Sequence, residues 1–307
     1  MLAFVLKRML QNLLMLAAIV LAVFVLMRLT AGDPARIKAP IFASEDVLNQ
    51  YRAQFGTDTP LPQQLKTFLS GIPRGDFGVS FRYQEPVFSL IQQRLPRTVI
   101  LAVCSLLLAV TLALVIGVAG ARKPYGWLDR FGLALSAFGQ SAPTFWVGLM
   151  LVLVFSVQLG WFPAVGFEGP ISLLLPTVAV ALAVLPTDLR VIRTAMLESL
   201  GQDYIRTARA FGIPERKVTY QYALRNAALP LITVIGIDLG YLLGGTIVTE
   251  VVFNYPGLGQ LAIDAVNARD YPLVQAITIV TAAIFVFVNL VIDLLYMVLD
   301  PRIRISG

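Results

Sequence analysis

The 307-residue chain contains no histidine and a single cysteine, Cys104. Histidine is the usual general base, the commonest transition-metal ligand and the simplest proton relay near neutral pH, so most hydrolase and metalloenzyme sites would lack a key residue. One cysteine can form neither an intrachain disulfide nor a thiol-based metal site. Because Cys104 lies within an apolar run, we interpret it as a packing residue.

Charged residues are also scarce, at 14% of the chain against 57% hydrophobic residues. Uncharged stretches of about twenty residues recur, and each is long enough to cross roughly 30 Å of hydrocarbon as a helix. The alternating pattern of a membrane barrel is missing. The sequence therefore predicts an all-α integral membrane protein. The net charge of +6 fits Lys and Arg on the cytoplasmic side of a membrane, and we expect no nucleic-acid partner.

Charge-free runs predict six transmembrane helices. Their ranges are 9–29, 97–121, 132–157, 171–192, 228–250 and 273–297. The third and fourth are separated by LGWFPAVGFEGP, in which Gly, Pro and the interfacial-type Trp161 interrupt the uncharged stretch. The first run is longer than a usual signal-peptide core and lacks a clear cleavage site, so we expect it to be a retained helix.

Lys and Arg in the short loops predict the orientation of these helices. They cluster before the first span, between the second and third, between the fourth and fifth, and after the sixth: Lys7, Arg8, Arg122, Lys123, Arg130, Arg190, Arg193, Arg206, Arg209, Arg216, Lys217, Arg225, Arg302 and Arg304. Both termini are therefore predicted to be cytoplasmic. The predicted division is a first transmembrane helix at 1–30, a small external insert at 31–96 and a five-helix core at 97–307, with a cytoplasmic loop at about 194–227.

The external insert is predicted to hold two short helices. In ASEDVLNQYRAQFG, Ser44 is a candidate N-cap and Gly56 a helix stop, and PLPQQLKTFLSGI predicts the second helix.

The segment DYIRTARAFGIPERK, residues 203–217, is polar and lies between two apolar runs. Asp203 can cap a helix that runs to about Phe211. Gly212 suits the left-handed position that ends a helix, and Pro214 suits the first turn of the next one. The segment is therefore predicted to be a helix, a sharp turn and a second helix.

Within this segment, Tyr204, Ala208 and Phe211 are spaced by four and three residues, which predicts one apolar face flanked by Arg206 and Arg209. Contact with anionic lipid would require charge alone. A rigid helix with an apolar face is typical of docking into the groove of a partner. We therefore favour partner docking over a basic lipid-contacting loop.

Four carboxylates lie within the predicted spans: Asp188, Asp238, Glu250 and Asp293. Charges in hydrocarbon are costly, so these residues should face protein or water. For Asp188 and Asp293, near cytoplasmic ends, we expect ion pairs with Arg190 and Arg302. For Asp238, nearer mid-span, and Glu250, at the outer end of the fifth span, a pathway role and a helix-packing role are equally supported.

The stretch GIDLGYLLGG, residues 236–245, places Gly236, Gly240 and Gly244 on one helix face at intervals of four. Small residues at this spacing allow close helix approach. The same face is also suited to a pathway wall with room for substrate. We therefore predict Gly240 and Gly244, with Asp238 and Glu250, as translocation-pathway residues.

DYIRTARAFG, followed by ALRNAALP at residues 223–230, resembles the cytoplasmic EAA loop of binding-protein-dependent ABC importer permeases in the dipeptide, oligopeptide and nickel branch. Arg206 replaces the Glu of EAA, and the distance from Gly212 to Leu229-Pro230 exceeds that of the general motif; both departures are normal for this branch. Other fragments similar to this branch follow in the expected order over nearly the whole chain: GDP (32–34), GDFGVS (75–80), LGWFPAVG (159–166), FNYPGLG (253–259), RDYP (269–272) and DLLYMVLDPRIR (293–304).

The resemblance implies that the segment 203–212 is a coupling helix that docks in a cleft of an ATPase subunit. The implied docking residues are Asp203, Tyr204, Arg206, Thr207, Ala208, Arg209, Phe211 and Gly212. The implied partners are a homologous second permease subunit, two ATPase subunits, an external substrate-binding protein and membrane lipid. The implied location is the bacterial plasma (inner) membrane, as a multi-pass protein.

The function implied by the resemblance is ATP-driven import of di- or oligopeptides or a related small solute. Motion of the docked helix would turn paired bundles from inward-facing to outward-facing. The chain contains no G-x-x-x-x-G-K-[ST] phosphate loop. We therefore expect no cofactor in this chain, no enzyme activity of its own, and ATP and Mg on the partner ATPase subunits.

Two alternatives remain. A secondary transporter driven by an ion or proton gradient predicts internal repeats and broken spans with membrane-centred charges, and the sequence shows no repeat and few mid-span charges. A membrane enzyme predicts a cluster of nucleophile, base or metal ligands, and none is apparent in the sequence.

Overall fold

The fold is given by a computed structural model that describes residues 2–29, 33, 35–36, 39–40 and 42–299, without the side chains of residues 2–7, 245 and 293–299. The helices are α1 (Leu2–Leu29), α2 (Glu45–Phe55), α3 (Leu61–Gly71), α4 (Val87–Arg122), α5 (Trp127–Ser141), α6 (Thr144–Leu151), α7 (Leu174–Leu200), α8 (Asp203–Ala210), α9 (Glu215–Lys217), α10 (Leu224–Gly245), α11 (Ile247–Val252), α12 (Leu258–Asn267) and α13 (Tyr271–Leu299). Extended pairing within the described residues is limited to one isolated bridge, between Val79 and Pro86. The prediction of an all-α chain is confirmed.

Five stretches of the described residues are long and apolar enough to cross a membrane as single helices. They are Arg8–Leu29, Val87–Arg122, Pro170–Leu200, Glu215–Gly244 and Tyr271–Ile292. A sixth candidate is a bent pair, Trp127–Ser141 with Thr144–Gln158, whose halves meet at 108°. The predicted count of six therefore holds only if this bent pair is one span.

The third span predicted at 132–157 is not one continuous helix. Helix α5 ends at Ser141, Ala142 is extended, and Pro143 precedes the first residue of α6. Proline lacks a backbone N–H donor and disfavours helical geometry in the residue before it. The helical path therefore breaks at Ala142–Pro143, and its second half continues from α6 into a π-helical segment, Val152–Gln158.

The fifth span also differs from its predicted range of 228–250. The helical path begins earlier, at α9, and passes through the π-helical segment Val218–Ala223 into α10, which ends at Gly245. Thr246 then separates α10 from the short helix α11. Glu250 consequently lies on α11 and not at the end of the long helix.

Residues 1–98 and 256–287 form one compact unit. Within it, α2 has the predicted ends: Ser44 is extended at the N-cap position, although its side chain makes no capping hydrogen bond, and Gly56 is left-handed, with φ +66°, at the C-terminus. Fully buried Asp270 accepts hydrogen bonds from the Ser80 hydroxyl and from the backbone N–H groups of Arg82 (3.0 Å) and Leu273 (3.3 Å). This carboxylate both caps the first turn of α13 and holds the loop before α4.

Residues 99–255 and 288–307 form the second compact unit. Its largest apolar cluster comes from α4, α7, α8 and α10. Helix α5 packs closely on α7, because a Cβ atom at Gly139 would lie 2.7 Å from Pro186 Cγ and 2.8 Å from the Leu182 carbonyl oxygen. The division predicted from sequence, with an external insert at 31–96, stays a prediction.

Candidate functional site

The segment after α7 forms the predicted helix and sharp turn. Gln202 is the extended residue before α8, so Asp203 is the first helical residue and not the cap. Gly212 has φ +75° and donates its N–H to the Arg209 carbonyl oxygen at 2.9 Å. This left-handed glycine ends the helix, as predicted, and Pro214 then precedes α9.

One face of α8 is buried in the chain's own core. Ile205 and Ala208 are three residues apart, and both pack in the apolar cluster of α4, α7 and α10. The prediction that Ala208 lies on an apolar docking face with Tyr204 and Phe211 is therefore wrong. The helix uses Ile205 and Ala208 as its inner stripe, which leaves the other side for external contacts.

Tyr204 connects α8 to both long helices beside it. Its hydroxyl lies 2.6 Å from the Ser199 hydroxyl at the end of α7 and accepts from the Asn226 side-chain amide of α10 at 2.9 Å. The Ser199 hydroxyl donates to the Ala223 carbonyl oxygen at 3.0 Å. Since a serine hydroxyl has one hydrogen, its oxygen is left to accept from Tyr204. The half-exposed Tyr204 is thus a link within the chain.

The outward side of α8 and its turn is polar with one large apolar side chain. Phe211 is 82% exposed and lies directly before Gly212. Arg209 donates to both carboxylate oxygens of Glu215, at 2.6 and 3.3 Å, and this bond raises the pKa of Arg209 above its ordinary value. Arg206 and Asp203 form a weaker exposed pair at 3.4 Å. The segment therefore presents an exposed aromatic ring next to a short helix whose opposite face is packed in the core through Ile205 and Ala208.

The predicted glycine face of α10 divides into a packed part and an open part. A Cβ atom at Gly236 would lie 2.8 Å from Ile292 Cγ1, so this glycine permits close packing against α13. Gly240 is buried. Gly244 is exposed, and a Cβ atom added there would meet no atom within 4 Å. Of Gly236 and Gly244, only Gly244 has free space beside it.

Glu250 has an interior position, and its predicted pathway role stays a prediction. Its side chain is fully buried, and its carboxylate accepts a hydrogen bond from the Thr246 hydroxyl at 3.1 Å. Its carbonyl oxygen accepts from the N–H of Tyr255 at 2.7 Å. Glu250 thus stabilises the turn around α11.

Comparison with known proteins identifies the family. Residues 109–305 match the family described as "Binding-protein-dependent transport system inner membrane component", and residues 1–102 match the corresponding N-terminal membrane component family.

The chain belongs to this family of inner-membrane permeases.

Curated relatives match the permease over almost its whole length. A glutathione transport system permease protein of Pectobacterium atrosepticum is 40% identical over 99% of both chains, and the one from Escherichia coli K12 is 39% identical over the same shares. A probable peptide ABC transporter permease protein of Sinorhizobium fredii is 37% identical over 98% of the permease and 99% of its own length.

Two solved structures share the fold. An inward-facing MetNI methionine ABC transporter has a TM-score of 0.55 at 18% identity and covers 69% of the permease and 96% of its own chain. An amino acid ABC transporter has a TM-score of 0.52 at 17% identity, with coverages of 70% and 94%. Together with the family and the relatives, they establish a multi-pass inner-membrane permease subunit of an ABC importer, a family that works with ATPase subunits and a substrate-binding protein.

Two of the four carboxylates within the permease's predicted spans come together. Asp188 of α7 and Asp238 of α10 lie within hydrogen-bonding reach of each other. The predicted Asp188–Arg190 ion pair is wrong, because Arg190 donates to Gln140 at 3.3 Å and no donor of the described residues reaches either carboxylate oxygen of Asp188. The side chain of Asp293 and residue Arg302 lie outside the described part of the chain.

The pattern of charges gave no indication of another buried pair in the permease. Asp129 of α5 is fully buried and accepts two hydrogen bonds from the Arg193 guanidinium of α7, one of them 3.0 Å long. Its second oxygen also accepts from the Tyr125 N–H at 2.9 Å. Arg193 was assigned only to a loop from the sequence, but it ties α5 to the part of α7 that leads into α8.

Proposed function

We propose that the permease imports short peptides or peptide-like thiols such as glutathione, and that α8 with its turn is the contact to an ATPase subunit. The substrate class follows from curated relatives, which are named for glutathione and peptide transport and match over almost the full length of both chains. Methionine and amino acid transporters share the fold at 18% and 17% identity, which supports no substrate assignment.

The observation that carries the docking proposal is the exposed ring of Phe211 beside a helix whose inner face is packed in the core. An anchor of this kind fills a partner's groove with little loss of conformational entropy, because Ile205 and Ala208 already hold the helix in the core. The exposed side chains of Asp203, Arg206, Thr207 and Arg209 surround the ring with polar groups. An apolar centre with a polar rim is typical of a protein interface.

The proposed assembly contains a homologous second permease, two ATPase subunits that bind ATP and Mg, and an external substrate-binding protein. Both permease termini and α8 lie on the cytoplasmic side, as the Lys and Arg distribution predicts, and the insert lies outside. When ATP draws the ATPase subunits together, the docked α8 moves as a rigid body with the ends of α7 and α10. That motion converts the paired bundles from inward-facing to outward-facing.

The open position beside Gly244 supports a place for this part of α10 at the translocation pathway or at the second permease. Asp238 and Gly240 lie on the same helix but are buried within this chain. We therefore keep Gly244 as the leading pathway residue.

The test is uptake into liposomes that contain the permease with its co-expressed second permease and ATPase subunits, with the binding protein added outside. We expect accumulation of labelled glutathione or a labelled dipeptide only when Mg and ATP are supplied to the ATPase side. Methionine in the same assay is the control solute. Accumulation driven by a proton gradient without ATP, or uptake of methionine alone, would refute the proposal.

A further inference from the structure

A pair of carboxyl groups lies between the two long helices that flank α8. Asp188 of α7 is 0% exposed and Asp238 of α10 is 9% exposed, and their carboxyl groups lie within hydrogen-bonding reach of each other. Both oxygens of Asp188 and one oxygen of Asp238 receive no hydrogen bond from any donor of the described residues. The two helices thus meet at a point where two acceptors face each other.

The nearby charged groups are engaged elsewhere. On α7, Arg190 donates to Gln140 and Arg193 pairs with Asp129 of α5. On α11, the Glu250 carboxylate accepts from the Thr246 hydroxyl. Helix α6 carries no ionisable residue, and the portion of α4 in this unit carries the thiol of Cys104 and one charged residue, Arg122, at its last position. Among the described residues, Asp238 is the one charged group that acts on Asp188.

Two ionised carboxylates in contact without a cation repel each other, and the repulsion is strongest where water is excluded. A single proton removes this repulsion, because the protonated carboxyl donates to its ionised neighbour. No group of three or more His, Cys, Asp or Glu side chains that could hold a metal occurs among the described residues.

We propose that Asp188 and Asp238 form a proton-binding site, in which one shared proton holds α7 against α10 in the interior of the permease. Helix α7 leads directly into α8, and α10 follows it through α9 and the π-helical segment. The proton therefore stabilises the contact between the two arms that carry the coupling helix. Its release introduces repulsion between these arms. This proton-binding site is independent of the proposed substrate class and of the proposed ATPase docking at Phe211.

The direct test is infrared spectroscopy of the purified transporter in nanodiscs near neutral pH. A protonated carboxyl group has a carbonyl-stretch band distinct from that of a carboxylate. We expect this band in the wild type and its loss in the double variant Asp188→Asn and Asp238→Asn, which keeps the side-chain shapes without the charges. Asp264→Asn, which changes an exposed carboxylate paired with Arg82, is the control and should leave the band unchanged.

If the double variant does not assemble, the two single variants provide the same test. In each of them the Asn amide donates a hydrogen bond to the remaining carboxylate, which then needs no bound proton. We therefore expect the band to be lost in both single variants. A band of unchanged intensity in the double variant, or in both single variants, would overturn the proposal.

Thermal stability gives a second readout with a defined sign. Well above about pH 4 the carboxyl groups of the unfolded chain have released their protons, whereas the proposed folded pair keeps one. The folded state then binds more protons and loses stability as the pH rises. We expect the melting temperature of the wild type, relative to the double variant, to fall as the pH rises and the shared proton is lost. Parallel pH dependence in the two proteins would contradict a proton held at this pair.

Discussion

The hydroxyl oxygens of Tyr204 and Ser199 lie 2.6 Å apart, and this contact joins the first turn of α8 to the last turn of α7. The Tyr204 hydroxyl also accepts from Asn226 of α10. A single phenol group therefore links α8 to both α7 and α10. A rigid-body motion imposed on α8 would reach α7 and α10 through this contact as well as through the buried Ile205.

Tyr204→Phe removes the hydroxyl while keeping the ring. We expect a loss of about 1–3 kcal/mol in the free energy of unfolding, because the hydroxyl makes two hydrogen bonds and each contributes about 0.5–1.5 kcal/mol net. ATP-driven uptake should fall more than ATP hydrolysis, since the helix still docks but transmits motion less well. Tyr220→Phe changes a half-exposed tyrosine of the neighbouring π-helical segment and is the matched control. Equal uptake per ATP hydrolysed in all three proteins would count against a linking role for the Tyr204 hydroxyl.

Gly212→Ala tests the left-handed turn after α8. At φ +75° an L-residue is strained by about 1–2 kcal/mol, although a Cβ atom there would meet nothing within 4 Å. We expect a lower melting temperature and weaker co-purification of the ATPase. Gly201→Ala is the matched control, because Gly201 has φ −82° and a Cβ atom would make ordinary contacts from 3.5 Å. Identical melting temperatures for the two variants would exclude backbone strain as the reason for the glycine.

Asp129→Asn leaves the Arg193 guanidinium next to a neutral side chain between α5 and α7. Removing one partner of a buried ion pair costs about 3–5 kcal/mol, so we expect a large drop in thermal stability. Asp203→Asn changes an exposed carboxylate that pairs with Arg206 and should cost about 0–1 kcal/mol. Thermal unfolding of both variants in the same detergent checks the difference. A loss for Asp129→Asn no larger than that for Asp203→Asn would contradict a structural role for the pair.

Gly244→Leu places a large side chain in the open space beside α10. The chain itself should fold normally, and ATP-driven uptake should be lost if this space belongs to the pathway or to the second permease. Gly236→Leu is the contrasting variant, since its side chain would collide with Ile292 and destabilise the chain. Melting temperature and uptake separate the two effects. Normal uptake by Gly244→Leu would remove this position from the pathway.

Much of the architecture followed from hydropathy and from glycine and proline. Uncharged runs predicted the long helices, Ser44 and Gly56 predicted the ends of α2, and Gly212 predicted the turn after α8. The break at Ala142–Pro143 was missed because the run around it is uniformly apolar, and hydropathy reports length but not direction. Pro143 was the available signal.

The candidate site was predicted less completely than the fold. The residue spacing predicted correctly that α8 is amphipathic, but it placed Tyr204, Ala208 and Phe211 on the apolar face. In the structure the buried residues of α8 are Ile205 and Ala208. The error arises because α8 has only eight residues and is bonded to its own chain at Tyr204, so its buried stripe depends on where α7 and α10 lie. Tertiary position cannot be deduced from so short a periodicity.

The pairing of Asp188 with Asp238, and of Asp129 with Arg193, was outside the reach of sequence patterns. Each pair joins residues at least fifty positions apart, and each carboxylate had an arginine nearer in the sequence. Partner choice depends on the register between packed helices. Arg190 is close to Asp188 in sequence, but the Arg190 side chain donates a hydrogen bond to Gln140 of α5 instead. Sequence proximity was therefore misleading here.

Binding of the ATPase subunit to Phe211→Ala tests the docking account most directly. Loss of a buried aromatic anchor costs about 2 kcal/mol or more, which corresponds to about thirtyfold weaker binding. Phe42→Ala is the control, because Phe42 is 97% exposed in the predicted external insert. The account predicts that Phe211→Ala, reconstituted in nanodiscs, binds the ATPase at least about tenfold more weakly than Phe42→Ala and wild type do. Equal affinity of all three permeases for the ATPase would contradict it.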